Sequence, residues 1–249
     1  MTGTKVIKLR LEQGGAAERL PDLKGDVKGK LVRIFNETDY FESDEGVSCY
    51  DRFVQQTEGL GAGQERIQDV LDFLLDDENA IDQVYRQKVG YLVSALIHNS
   101  RQREFRIRLK HPVDWVGYRL EGGKKITVDG DVAYGVGSEM RSGTIIVNGN
   151  SWLGAGFKMA GGNVIIRGNS GRLTGLEMTG GRLLIKGGAG DETGASMTGG
   201  VLHVKKDVGA ETGIGMADGI INVGGDIKSI SDDTGYGKIY HKGEKVRPR

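Results

Sequence analysis

The sequence predicts a mainly β protein, a right-handed parallel, single-stranded β-solenoid of about six 19-residue coils preceded by a small α+β unit. Three observations predict the coils. Met140, Met159, Met178, Met197 and Met216 stand 19 residues apart without an insertion. A glycine lies three residues before each (Gly137, Gly156, Gly175, Gly194, Gly213) and three after each (Gly143, Gly162, Gly181, Gly200, Gly219). Five and seven residues after each methionine come the apolar pairs Ile145/Val147, Val164/Ile166, Leu183/Ile185, Leu202/Val204 and Ile221/Val223. A fixed period near 20 marks a repeat architecture. Alternation with period two marks a short strand with one buried face. No proline interrupts the repeats, so every N–H is free to join a ladder. Coils of this kind stack about 4.8 Å apart.

Composition places the boundary. Thirty-one of the 42 glycines lie between Gly117 and Gly237, so the first part of the chain is ordinary globular sequence and the rest is not. The reading divides the chain into an α+β unit (1–110), a solenoid (111–237) and a basic tail (238–249). Lysine and arginine balance aspartate and glutamate at 34 each, which argues against a broad nucleic-acid or anionic-membrane footprint. One cysteine, Cys49, excludes a disulfide framework within the chain. Neither a long apolar span nor a signal-like core stands out, so the expectation is a soluble, cytoplasmic protein.

Along the first unit, residues 5–11 alternate in the strand manner, and Leu31 to Phe35 do so loosely. Gly14-Gly15 and Pro21 to Gly29 read as turns, and Asp39 to Glu45 as a solvated loop. Cys49 lies near no histidine and reads as a small, semi-buried side chain. Glu58 to Gly63 is glycine-rich before a helix. It lacks a lysine after its last glycine, so a hinge is the better reading than a phosphate cradle. An αα-hairpin follows over about 65–100. Ile67, Val70, Leu71, Leu74 and Leu75 give the first helix one apolar face. The second starts near Asp77, with Asp76 or Asp77 as cap and a stripe from Ile81 and Val84 to Leu96 and Ile97. Gly90 costs this helix about 1 kcal/mol of propensity. Phe105, Ile107 and Leu109 then alternate as a strand. The basic residues around them (Arg101, Arg103, Arg106, Arg108, Lys110) form a candidate contact patch. Trp115 and the helices are expected to close the first coil, since an open solenoid end is a bare sheet edge. After Asp226 the repeat decays, and residues 238–249 read as a loose basic tail.

The repeats offer little chemistry. The methionines read as a core stack, a flexible thioether filling an irregular interior. Gly122-Gly123-Lys124 is followed by lysine and begins a strand, so it is no phosphate loop. Gly135-Val-Gly137 opens no helix, which removes the dinucleotide-binding reading. His98, His111, His203 and His241 share no metal-ligand spacing. Asp131, Asn150, Asn169, Asp207 and Asp226 recur, with Gly188 interrupting. They suit a second corner, where Asn and Asp tolerate left-handed backbone and bond their own chain; a substrate-binding ladder is the alternative. Glu139, Lys158 and Glu177 fall on one column and read as an outward charge ladder. His203 replaces the aliphatic Ile146, Ile165 and Leu184 and marks a candidate interaction surface.

The repeated unit, as in Gly156-Phe-Lys-Met159-Ala-Gly-Gly162-Asn-Val-Ile-Ile-Arg-Gly168, resembles the GXGXG repeat domain. That domain closes the large glutamate synthase chain. It also makes up one whole component of formylmethanofuran dehydrogenases and of the related formyltransferase/hydrolase complex. The resemblance covers about Gly123 to Asp226. It implies a right-handed parallel β-helix without catalytic, cofactor-binding or metal residues of its own, which packs against larger catalytic subunits. Those partners would carry flavin, iron–sulfur or molybdopterin centres. The expected function is therefore a non-catalytic scaffold in an oxidoreductase or formyl-transfer assembly. The alternatives are an enzyme or ligand-binding protein with a cleft beside Cys49 and His111, or a structural homo-oligomer.

Overall fold

The computed structural model describes residues 27–39, 48–76 and 82–246. The readings of residues 5–11, Gly14-Gly15, most of Pro21–Gly29 and the acidic run after Asp39 lie outside them. Among the described residues four helices, α1 (Val27–Glu37), α2 (Cys49–Thr57), α3 (Gln64–Leu74) and α4 (Gln83–Asn99), precede the β-solenoid, which makes about seven turns over residues 104–241.

One strand of each turn stands in a long sheet: β1 (Glu104–Arg108), β2 (Lys125–Asp129), β4 (Thr144–Asn148), β6 (Asn163–Ile166), β8 (Arg182–Ile185), β9 (Thr198–Val204), β10 (Asp218–Val223) and β11 (Lys238–His241). These pair in parallel, and Ile145, Val164, Leu183, Leu202 and Ile221 stand opposite one another. A shorter second ladder holds β3 (Val132–Tyr134), β5 (Ser151–Leu153) and β7 (Ser170–Arg172), and single bridges continue it to Ile227. All five repeat methionines are fully buried, so they are the core stack that the sequence predicts.

The two glycines of the repeat answer two different neighbours. A Cβ on Gly156 would lie 2.9 Å from Leu183 Cδ2 of the following coil. On Gly162 it would lie 2.6 Å from Met140 Cε of the preceding coil. The first glycine thus clears the next coil's aliphatic residue and the second clears the previous coil's thioether methyl. Both also have positive φ, which glycine adopts without strain. Between them the chain makes two consecutive turns. Phe157 N–H donates to Gly154 C=O (3.1 Å), and Met159 N–H to Gly156 C=O (3.0 Å). The third residue of each, Gly156 and Lys158, has positive φ, as a type II turn requires.

The ends depart from the sequence reading. Strand β1, assigned by sequence to the first unit, pairs with β2 along its whole length and is the first rung of the solenoid. Its free edge is met by side-chain amides. Gln64 Oε1 accepts from Arg106 N–H (3.0 Å). Gln68 accepts from Arg108 N–H (2.8 Å) and donates to Arg108 C=O (3.0 Å). Gln64 and Gln68, one turn apart on α3, stand in for a missing strand. At the other end, residues 238–246 are no loose tail: β11 is the last parallel rung and β12 (Glu244–Val246) folds back on it antiparallel.

The helices correct two further expectations. Leu31 to Phe35 lie in α1, because the buried Leu31, Ile34 and Phe35 are spaced three and four apart. The second hairpin helix starts at Gln83, capped by Asp82, whose carboxylate accepts from Tyr85 N–H (2.9 Å); Val84 points outward at 36% exposure. α4 then lies across the first coil, as expected of a lid. Ser94 Oγ donates to Trp115 C=O (3.0 Å) and accepts from Gly117 N–H (3.0 Å), while Tyr91 stacks on Trp115 at 5.6 Å.

Lys124 fixes the far end of this helix. Its ammonium donates to the carbonyls of Ile97 (2.6 Å), His98 (2.5 Å) and Ser100 (2.9 Å). A cation at a helix C-terminus meets both unpaired carbonyls and the negative end of the dipole. Lys124→Met is expected to cost about 2–3 kcal/mol, since charge-assisted bonds are the stronger kind. Lys125→Met, which removes an exposed ammonium 3.5 Å from Glu104, should cost well under about 1 kcal/mol. Urea denaturation of the two variants side by side measures the difference.

Candidate functional site

The recurring Asn/Asp column holds coils together. Asp131 Oδ1 accepts from Asn150 N–H (2.7 Å), Asn150 Oδ1 from Asn169 N–H (2.9 Å), and Asn169 Oδ1 from Gly188 N–H (2.9 Å). Asp207 does the same for Asp226 (2.8 Å). None of these residues has positive φ, and each of these bonds reaches the following coil instead of the residue's own backbone. That corrects the corner reading: the side chain supplies an acceptor where the ladder has left the strand. Gly188 interrupts without loss to its own rung, because a glycine N–H still donates to Asn169 Oδ1.

The charge ladder is split. Glu139 turns to the lid side, taking Arg119 Nε (2.9 Å) and the Tyr118 hydroxyl (3.0 Å), and Arg119 also reaches Asp51 of α2 (3.2 Å). Lys158 pairs with Glu177 (3.7 Å). Around Arg119 the rings of Tyr50, Tyr91, Trp115 and Tyr118 pack edge to face or stacked. Burial, with Glu139 nearby, pushes the Tyr118 phenol well above its usual range. This cluster is the joint between lid and solenoid.

The predicted basic patch is largely compensated. Only alternate residues of β1 face outward, and Glu104 is one of them. Arg106 is held by Asp129 through two bonds (2.6 and 3.2 Å); these bonds, and one from Asn148, hold the Asp129 carboxyl below its usual range. Arg108 lines a cleft of about 610 Å³ with Glu65, Asp69 and Asp72 of α3. Arg103 is exposed, and its carbonyl accepts from Lys125 N–H (2.7 Å). The acidic face of α3 could not be placed over this strand from sequence, because 40 residues separate Gln68 from Arg108.

Cys49 and His111 are not brought together. Cys49 is 3% exposed, at the start of a helix whose cap Ser48 accepts from Asp51 N–H (3.2 Å), whereas His111 is exposed after β1. The Ser48-x-x-Asp51 spacing is a helix-start signal that sequence reasoning missed. Burial pushes the Cys49 thiol up to about 12. Its reaction with a disulfide reagent at pH 8 is expected to be roughly 100-fold slower in the native chain than in denaturant, since the thiolate is the nucleophile. Rapid native modification would restore the cleft reading.

The glycine-rich turn before α3 is also occupied: Gln64 N–H, at the helix start, donates to Gln102 Oε1 (3.0 Å). Among the described residues no group of three or more His, Cys, Asp and Glu is placed to hold a metal, and no helix is long and apolar enough to cross a membrane.

No family model, curated protein or solved structure matches this chain.

The outer face of the long sheet is the remaining candidate. Ile146, Ile165, Leu184 and His203 stand opposite one another on successive coils, each half-buried where the core residues beside them are sealed. Burial, and then the Lys205 cation, hold the His203 imidazole below its usual range, so it is neutral at pH 7. Two residues further along the strands come Arg167, Lys186 and Lys205, all exposed. A face that is flat, in register and apolar along one line is suited to contact and offers no enclosure for a small molecule.

Proposed function

We propose that this chain is a docking subunit of a larger assembly, in which the solenoid presents a fixed surface to catalytic partners. The observation that carries the reading is the continuous stripe Ile146–Ile165–Leu184 on the outer sheet face. An aliphatic column on the solvent side of three successive coils is unusual in a strand face that otherwise alternates apolar-in, polar-out. The filled interior supports it as well. With five methionines and the aliphatic pairs sealed from water, the coils form a rigid body that can set the distance between partners. The resemblance of the Gly-x-x-Met-x-x-Gly unit to the GXGXG domain gives the class of partner: oxidoreductase or formyl-transfer subunits carrying flavin, iron–sulfur or molybdopterin centres.

Affinity purification of the tagged chain from its source cells, followed by mass spectrometry, tests the proposal. Stoichiometric co-elution of larger subunits with such centres is the expected result. A monodisperse, partner-free protein would overturn it.

A further inference from the structure

The surface itself narrows the partner's chemistry. Backbone bonds from Arg167 N–H to Val147 C=O (3.0 Å), Lys186 N–H to Ile166 C=O (2.9 Å) and Lys205 N–H to Ile185 C=O (2.9 Å) carry the sheet register past the strand ends. Three cations therefore stand in a column about 4.8 Å apart, beside the apolar column and parallel to it.

Three nearby cations are already paired. Arg141 pairs with Glu121, Lys158 with Glu177, and Arg172 with Glu192. Among the described residues no ion pair reaches Arg167, Lys186 or Lys205. The sequence allows few: between Met140 and Gly190 the only carboxylate is Glu177, against six lysines and arginines. In a chain of zero net charge, this is a local excess on the very coils that carry the stripe. Like charges in adjacent rungs repel, and an anion laid along them relieves the repulsion.

We propose that an acidic amphipathic helix of a partner protein lies along the stack here. Its apolar side covers Ile146, Ile165 and Leu184, and its carboxylates face Arg167, Lys186 and Lys205. The proposal rests on the docking reading above and names the surface and the occupant. A helix fits because side chains one turn apart advance about 5.4 Å, close to the coil spacing, so one helical face follows a column over three coils. A partner strand would pair with a sheet edge, and the edges lie at the two ends of the stack, at β1, met by Gln64 and Gln68, and at β12, the last strand, not on the face that carries the stripe. A nucleic-acid backbone would place phosphates beside the aliphatic column, where they gain nothing.

The test is a photo-crosslinking residue at Leu184 in the full chain, expressed in its source cells. It is compared in the wild-type background and with Arg167→Glu, Lys186→Glu and Lys205→Glu combined. Crosslinked peptides are expected to map to a helical segment rich in Asp and Glu, with at least a ten-fold loss in the charge-reversed chain. Should that chain fail to fold by its thermal melt, the Gln versions of the same three positions replace it. Crosslinks to a neutral or basic segment, to a second copy, to lipid or to nucleic acid would overturn the proposal. So would an undiminished yield after charge reversal. If large subunits co-purify but none crosslinks from Leu184, this surface is wrong and the docking reading stands. If nothing co-purifies, both fall.

Discussion

Gly90→Ala is expected to destabilise the protein by about 2–4 kcal/mol, although alanine is the better helix former by about 1 kcal/mol. A Cβ at this position would stand 1.7 Å from the Asp114 carbonyl oxygen and 2.8 Å from its carbon. Those are backbone atoms of the first coil, beside the Val113–Val132 bridge, with Asp114 itself 1% exposed, so they cannot swing aside. Helix α4 would have to lift. The Ser94 bonds to Trp115 and Gly117 and the Tyr91–Trp115 stack would loosen with it. Urea denaturation measures the cost, and tryptophan fluorescence should show Trp115 more exposed to quencher. Equal or greater stability in the variant would mean that the helix does not rest on the coil at this point. Gly90, read from sequence as a propensity defect, is the point of closest approach between the two parts of the fold.

Deleting a whole coil should matter far less than deleting one residue of it. Removal of residues 163–181 joins Gly162 to Arg182, which takes the place of Asn163 one coil earlier. Ile145 then meets Leu183, Val147 meets Ile185, and Met197 takes the place of Met178. Gly190 replaces Gly171 beneath the Trp152 carbonyl, where a Cβ on Gly171 would come within 1.7 Å. In a stack held by nearest-neighbour contacts, the loss is one unit's share, and a melting temperature within roughly 10 °C of the parent is expected. Deletion of Ile165 alone draws Arg167 toward the interior position of Ile166, which is fully buried. An unpaired charge in a sealed core costs on the order of 4 kcal/mol or more. Circular dichroism melts of the two deletions decide the matter; similar melting temperatures would mean that the coils do not hold the register described.

The contrast explains what the sequence could and could not reveal. Positions 123–226 repeat the same packing problem five times, so Gly156, Met159 and Gly162 are read with Gly175, Met178 and Gly181 as confirmation. Elements that occur once have no such averaging. Leu31 to Phe35 is too short a window to separate helix from strand by period, and Ser48-x-x-Asp51 is a small signal beside an acidic run. The ends of the stack were obscure for another reason. What completes β1 is a pair of glutamine side chains on a helix some 40 residues earlier, and local sequence carries no trace of that partnership. The candidate surface was legible only in part. His203 pointed to the outer column, whereas the arginines of β1 pointed to a patch that Asp129 of β2 and the acidic face of α3 already answer. The outward cations Arg167, Lys186 and Lys205 became visible only when register set them side by side.

Taken as polymer chemistry, the solenoid is a short homopolymer with two unlike chain stoppers. Propagation takes 19 residues at each step from β2 to β10, against 21 from β1 to β2 and 18 from β10 to β11, and termination is done by different means at each end: amide side chains on α3 and a reversed strand after Gly243. The degree of polymerisation is then independent of how the ends are sealed. A lineage can lengthen or shorten this molecule in increments of about 4.8 Å by duplicating or losing 19 codons, and keep both stoppers unchanged. Length becomes a heritable quantity with a fixed step.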